Sequence, residues 1–343
     1  MNIFRLKRHL LTFLFLFALS APALAIDCAR SETVVENTIC SSPQLVWMDS
    51  VLNDNYRNQV MADPVAINGR MAQWRKSRDA CASNGCLRRA YFHGLSDIYN
   101  ASRPFDWKGE WWNSTAINGS GGRIMIQSTA DWGFRLDATF WGGAFKSSFN
   151  GDVRKFYGIG FMDKIAWGGN CAILLMPRPD GKVEVSSDTR NSCRLLMPGG
   201  IAIDGLYVRA NSDPRPAPTL LSLGILPDKE MDDRFRALAG AEYAEYVSTA
   251  NSVLYGQDID NFGAAVLNLS VKGMANRKSA IVMYTTEGKI WAMRVAPDKQ
   301  NRLKLHYFTT EKSGQMPKTL LSWTAFFPGS EMVSAQDAGG KAG

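Results

Sequence analysis

The stretch GQDIDNFG at 256–263 places Asp258 and Asp260 two residues apart among turn formers. It is the best candidate in the chain for paired-carboxylate acid–base work. Aspartates in such loops also cap turns by accepting backbone N–H groups, and that structural use is the expectation here. His93 falls in a helical pattern and His306 in a strand pattern, more than 200 residues apart, and both are expected to be structural polar residues. HExxH, GxSxG, GxxxxGKS and GxGxxG do not occur, so zinc-protease, hydrolase-elbow and phosphate-loop chemistries lack their usual signatures. Six cysteines form an even set, whereas a cysteine nucleophile needs an unpaired thiol. The sequence therefore predicts no catalytic residue, no metal site and no cofactor. A hydrolase using carboxylates against cell-wall material is the remaining enzymatic reading.

Two other groups of residues suit binding. Six of the ten tryptophans fall between 107 and 167, at Trp107, Trp111, Trp112, Trp132, Trp141 and Trp167. Exposed indoles stack on sugar faces and anchor protein interfaces. Trp107, Trp111, Trp112 and Trp132 are accordingly the aromatic candidates for a binding surface. The second group is basic: Arg75, Lys76, Arg88 and Arg89, with Arg70 nearby, lie on predicted helices and could meet an acidic partner or an anionic wall polymer.

The elements that must position these residues fall into three segments. From 26 to 104 the apolar period is helical. Thr33 and Glu36 form a capping box for a short helix ending near Cys40, and Ser42-Pro43 opens the next, with Leu45, Met48, Leu52 and Tyr56 along one face. Two further helices follow, carrying Met71, Trp74 and Arg78, then Leu87, Tyr91, Leu95 and Ile98. Ala62-Asp63-Pro64 turns the central pair, and an antiparallel hairpin there would bring Cys40 near Cys81. Nested pairing, Cys40 with Cys81 and Cys28 with Cys86, follows from that geometry. Sequential pairing, Cys28 with Cys40 and Cys81 with Cys86, is the rival, and sequence leaves both open.

From 105 to 210 the period changes to two. FRLDATF puts Phe134, Leu136, Ala138 and Phe140 on one face of a strand. GRIMIQ, KFYGIGF, CAILLMP, KVEVS, CRLLMP and GLYVR read as further strands, with turn signals at Asn118-Gly119, Asn150-Gly151 and Pro179-Asp180-Gly181. Even spacing of short strands predicts an antiparallel barrel or sandwich, with Cys171 paired to Cys193 across one hairpin. The Pro-rich NSDPRPAPT at 211–219 reads as a boundary. An α+β domain follows over 220–332, helix first and then strands, with Glu287-Gly288-Lys289 as a hairpin turn. The tail at 333–343 reads as disordered. The expected fold class is thus multidomain α+β.

Residues 1–25 carry Arg5, Lys7 and Arg8, an apolar run from Leu10 to Leu19, and Ala23-Leu24-Ala25. This is a secretory signal peptide with cleavage expected after Ala25, and the run is too short to span a bilayer. Its loss removes three basic residues and no acidic one, so the formal charge falls from +7 to +4. Mild basicity gives no charge argument for nucleic-acid binding. An oxidising compartment, periplasmic or extracellular, suits three disulfides.

Asp27-Cys28-Ala29, Val35-Glu36-x-x-Ile39-Cys40, Pro43-x-Leu45, Asp49-x-x-Leu52, Tyr56, Gln73-Trp74, Arg78-Asp79-x-Cys81 and Cys86-Leu87-x-x-Ala90-Tyr91 together resemble the N-terminal domain of the LprI-type lysozyme inhibitor family. The resemblance covers under a quarter of the chain. It implies an exported helical domain, and lysozyme as a partner. Gly109-Glu110-Trp111 is similar to the GxW near the start of lipocalin-like barrels. The resulting expectation is an exported, non-enzymatic protein of the lysozyme-inhibitor-like type that binds non-covalently. A barrel that binds a glycan or another small ligand is the alternative, with lysozyme or cell-wall glycan as partner. The chain is not expected to bind nucleic acid or span a membrane.

Overall fold

The computed structural model describes residues 25–60, 63–117, 119–165, 169–188, 193–312 and 315–334. Trp167, the residues up to 24 that read as a signal peptide, and the tail from 335 lie outside them. The chain divides into two compact units, Met1–Ile98 and Tyr99–Gly343.

The first unit is helical: α1 (Val34–Cys40), α2 (Pro43–Val60), α3 (Pro64–Asp79) and α4 (Asn84–Tyr99, whose last residue belongs to the second unit). The capping box is present: the Thr33 hydroxyl accepts from the Glu36 N–H at 3.1 Å, and the Glu36 carboxylate accepts from the Thr33 N–H at 2.9 Å. These bonds satisfy amides that the first helical turn otherwise leaves unpaired. Asp63 caps α3 by accepting from the Ala66 N–H at 3.1 Å. Leu45, Met48, Leu52, Tyr56, Trp74, Leu87 and Tyr91 fill the interior as their spacing predicts. Gly94, inside α4, makes room for Trp74: a Cβ there would lie 2.6 Å from the indole nitrogen, which donates to the Ala90 carbonyl at 2.7 Å.

The disulfides correct the nested expectation. Cys28 bonds to Cys40 and Cys81 to Cys86, with Cα atoms 5.5 and 5.4 Å apart. Each bridge closes a local loop, one folding residues 28–33 back onto the end of α1 and the other spanning the α3–α4 turn. The helical hairpin therefore stands without a covalent tie between its far-separated segments.

The second unit begins with a closed eight-stranded barrel in which every neighbouring pair is antiparallel: β1 (Gly109–Asn113), β2 (Gly121–Thr129), β3 (Gly133–Gly142), β4 (Phe145–Phe156), β5 (Ile159–Met162), β6 (Ile173–Pro177), β7 (Val183–Ser187) and, after the short helix α5 (Cys193–Leu196), β8 (Gly205–Arg209). Strand order follows the chain, and β1 closes on β8. Phe134, Leu136, Ala138 and Phe140 point inward as the alternation of FRLDATF requires, while Arg135 and Asp137 are exposed. The interior is packed with Trp111, Ile124, Phe134, Phe140, Leu175 and Tyr207 among others, as expected of an eight-stranded barrel whose bore is just wide enough for side chains.

Three readings of the turns change. CRLLMP opens as α5, so Cys193 sits on a helix, although it still bonds to Cys171 as expected. KFYGIGF is two strands joined at Tyr157-Gly158, where Gly158 has φ +84° and a Cβ would lie 1.7 Å from the Ala101 carbonyl oxygen. Asn150-Gly151 is strand interior, opposite Asp137 and Leu136, because the Met162 methyl occupies the place a Gly151 side chain would take. The hairpin turn lies instead at Gly143-Ala144, with Gly143 at φ +63°.

Beyond the barrel come α6 (Lys229–Ala239), a 3-10 turn over Gly240–Glu242, α7 (Tyr243–Thr249) and a six-stranded sheet. The strands are β9 (Ser252–Tyr255), β10 (Ala265–Ser270), β11 (Ser279–Tyr284), β12 (Ile290–Pro297), β13 (Leu303–Thr309) and β14 (Glu331–Ser334), with α8 (Lys318–Thr324) before the last. Their order is β14-β13-β12-β11-β10-β9, and β14 pairs parallel to β13. Residues 333 and 334, read from sequence as the start of a disordered tail, are therefore paired strand. Phe235, Tyr243 and Tyr246 pack on the face showing Leu267, Val282 and Ala292; Leu320, Trp323 and Phe327 pack on the opposite face, over Ile281, Met293 and Leu305. The Pro-rich 211–219 link is held to the barrel: Arg215 donates to the Ala116 and Ser120 carbonyls at 2.8 and 2.7 Å. The β3–β4 turn meets the sheet segment through the Ala144 N–H, which donates to the Lys272 carbonyl at 3.1 Å. Barrel and sheet form one unit for these reasons.

A charge cluster with a buried Arg294 and half-buried Glu242 and His306 ties the 3-10 turn to the sheet. Glu242 accepts from the Arg294 guanidinium at 2.6 Å and lies 2.8 Å from His306 Nδ1. Burial works to raise the Glu242 pKa, but the hydrogen bonds and charges of His306 and Arg294 outweigh it and hold the carboxyl below its ordinary value.

Candidate ligand-binding cavity

The predicted aromatic surface does not form. Trp107 is 4% exposed and Trp111 2%. Both lie in the barrel interior, where Trp107 packs on Phe134 with centroids 4.8 Å apart and Trp111 donates its indole N–H to the Trp107 carbonyl. Trp112 is half-buried and donates to the Ala210 carbonyl at 3.1 Å, with Trp141 edge-on at 6.3 Å. Only Trp132, 57% exposed, faces solvent among these described tryptophans. The strands sort their indoles by parity, and GEWWN sends adjacent tryptophans to opposite faces. On the helical unit Lys76 and Arg89 are exposed, and Arg75 and Arg88 half-buried.

The aspartate pair caps structure, as expected. Asp258 accepts from the Asp260 and Ala264 N–H groups at 3.2 and 3.0 Å. Asp260 accepts from the Lys318 and Thr319 N–H groups and the Thr319 hydroxyl at 2.7–2.9 Å. Those bonds, with the Lys318 charge, outweigh burial and keep its carboxyl below the ordinary range. His93 pairs with Asp97 at 3.0 Å. Among the described residues no cysteine is free, and no cluster of His, Cys, Asp and Glu could hold a metal ion.

A cavity of about 620 Å³ opens on the α8 face of the sheet. Alternation in β12 and β13 turns Trp291 and Tyr307 toward it, while Ile290, Ala292 and Phe308 face the α6–α7 side. Phe262, from the loop that Asp258 and Asp260 fasten, brings its ring 5.3 Å from Trp291 with planes 32° apart. Phe262 is 49% exposed and Trp291 6%, so the first is the accessible wall and the second the floor. The rim is polar. Glu287 and Lys289 come from the β11–β12 hairpin, Glu311 follows β13 with its carboxylate 3.8 Å from the Lys289 ammonium, and Gln315 and Lys318 lead into α8. Hydrogen bonds within its turn hold Glu287 below its ordinary pKa, among them one from the Thr286 hydroxyl, which donates to the carboxylate at 3.0 Å. It is thus an ionised acceptor. Burial raises the Tyr307 phenol, keeping it a neutral donor.

An aromatic floor and wall under a mixed-charge rim suits a ligand with one flat apolar face and polar edges, in a volume within the usual range of about 300–1,000 Å³. Sequence reading missed the site because its residues are spread over four segments between 260 and 318, and Trp291 in IWAMR looks like any strand aromatic. The fastened loop 256–263 was the one visible signal, through its carboxylates and not through Phe262. No family model, no curated protein and no solved structure matches the chain.

Proposed function

We propose that this chain is an exported, non-enzymatic protein that binds a glycan, such as a cell-wall fragment, in the cavity over β12 and β13. The Trp291–Phe262 pair beneath a rim of Glu287, Lys289 and Glu311 carries the reading. A pyranose offers a C–H face to the rings and equatorial hydroxyls to the carboxylates and ammonium groups. Export is supported by the signal-like N-terminus and three disulfides. No helix among the described residues is long and apolar enough to cross a membrane. Neither His93 nor His306 lines the cavity, whose polar groups are suited to holding a ligand.

The glycan-binding alternative thus moves from the barrel, whose interior is occupied by side chains, to the sheet. The LprI-type resemblance belongs to the helical unit. Its packed interior leaves only its surface for a protein partner, with Arg70, Lys76 and Arg89 exposed there.

Titrating the purified protein with peptidoglycan fragments and chito-oligosaccharides, read by tryptophan fluorescence, tests the proposal. Phe262→Ala should weaken binding about three- to tenfold, the loss of one exposed stacking partner worth roughly 0.5–1.5 kcal/mol, with the melting temperature unchanged. Equal affinity of variant and wild type, or no response to any saccharide, rejects the cavity as a glycan site. A parallel lysozyme assay decides between the readings: inhibition without saccharide binding would transfer the function to the helical unit.

A further inference from the structure

Asp49, in the middle of α2, is 3% exposed. Its Oδ1 accepts from the Tyr91 hydroxyl at 2.9 Å, and its Oδ2 accepts from the main-chain nitrogen of Ile26 at 2.8 Å. Arg78 from α3 acts on it through space, but its guanidinium is also engaged by Asp79 at 2.8 Å. Burial is the largest influence on this carboxyl and raises its pKa despite those donors. A buried carboxylate needs a full counter-charge as well as hydrogen bonds to offset lost hydration.

The atom that touches it is the one that signal cleavage would change. Ala25 is exposed and Ile26 half-buried. Hydrolysis of the Ala25–Ile26 peptide bond by a signal-cleaving protease consumes one water: the Ala25 carbonyl leaves as a carboxylate, and the Ile26 nitrogen becomes an amine that takes up the released proton. The nitrogen is held in place by its neighbours. Asp27 accepts from the Ala29 N–H at 3.0 Å, its carbonyl accepts from the Arg30 N–H at 2.9 Å, and Cys28 is bonded to Cys40 at the end of α1.

We propose that cleavage after Ala25 converts the Ile26 amide into an α-ammonium that forms a buried ion pair with Asp49, so that export processing completes the helical unit. The pair rests on the export reading above and is independent of the glycan site. It also gives the local Cys28–Cys40 bridge a purpose, which is to hold the new terminus against α2. The precursor offers Asp49 a neutral N–H; the processed chain offers a charge at the same place.

Two measurements test it. The intact mass of protein recovered after export should correspond to a chain beginning at Ile26; any other first residue overturns the proposal while leaving the glycan reading intact. Full-length mature protein is then compared with a form carrying Gly-Ser ahead of Ile26, each with Asp49 and with Asp49→Asn. The extension should lower the melting transition of the helical unit by about 5 °C in the Asp49 background and by under about 1 °C in Asp49→Asn. Saccharide affinity should be the same for both forms. An extension that costs the same in both backgrounds overturns the pair. If Asp49→Asn does not fold, acylation of the α-amine decides: in native protein at pH 7 it should react at least tenfold slower than in unfolded protein, and equal rates overturn the pair.

Discussion

Replacing Glu242 by alanine should destabilise the second unit by about 3 kcal/mol at pH 7. The change leaves Arg294, whose side chain is 9% exposed, without its carboxylate. An uncompensated buried charge costs about 3–5 kcal/mol, and the lower end applies because Glu242 keeps 22% of its side-chain surface. His306 loses its partner at the same time. The effect carries a pH signature. The folded-state pKa of Glu242 lies below its unfolded value, so the unfolded chain binds the extra proton across that interval and stability rises with pH through it. The stabilisation is fully present above the ordinary carboxylate value of about 4.3 and is lost as pH falls through the depressed folded value. Denaturant titrations at pH 7 and near pH 3 should show wild type and Glu242→Ala far apart at the first and close together at the second. A gap under about 1 kcal/mol at pH 7, or one that is the same at both, would show that the cluster does not hold the turn to the sheet.

The second large effect concerns which bridge matters most. Removing Cys171–Cys193 as a double alanine variant should cost about 3 kcal/mol, because it frees a loop of 22 residues in the unfolded chain and empties two fully buried sulfur sites. Removing Cys81–Cys86, which spans 5 residues, should cost about 2 kcal/mol. Cys28–Cys40, spanning 12, should fall between them. Nested pairing in the helical unit would instead have closed loops of roughly 40 residues and more and placed the N-terminal bridges first. Unfolding of the three double variants, followed by circular dichroism under non-reducing conditions, gives the order. A larger loss for Cys81–Cys86 than for Cys171–Cys193 would contradict it.

What the sequence alone determined was local. Thr33 and Glu36 are three residues apart, so their reciprocal bonds need nothing beyond one helical turn. FRLDATF settled its own inward face, since alternation follows from the pleat. Glu287-Gly288-Lys289 announced its hairpin because Gly288, at φ +88°, meets a backbone demand that glycine satisfies without strain. Asp258 was legible as a cap for the same reason of short range, since it accepts from the Asp260 and Ala264 N–H groups beside it, whereas the partners of Asp260 lie at the start of α8. Asn150-Gly151 misled because a glycine serves equally in a turn or beneath a neighbour's side chain, and only the position of Met162 decides between them.

The tertiary structure decided everything that depends on distant segments meeting. Cysteine pairing depends on where the ends of α1 and α3 lie in space, which period and capping do not specify. Whether a tryptophan is core or surface depended on barrel closure: β1 pairing with β8 sealed Trp111 inside and left Trp112 outside. Phe262 reaches Trp291 only because Asp260 fastens its loop to the start of α8, 58 residues further along the chain. Ile26 meets Asp49 across a separation of 23 residues along the chain. For the tryptophans, Phe262 and Ile26 the free energy sits in contacts whose partners are far apart in sequence, so composition and spacing could name the residues without showing which of them would touch.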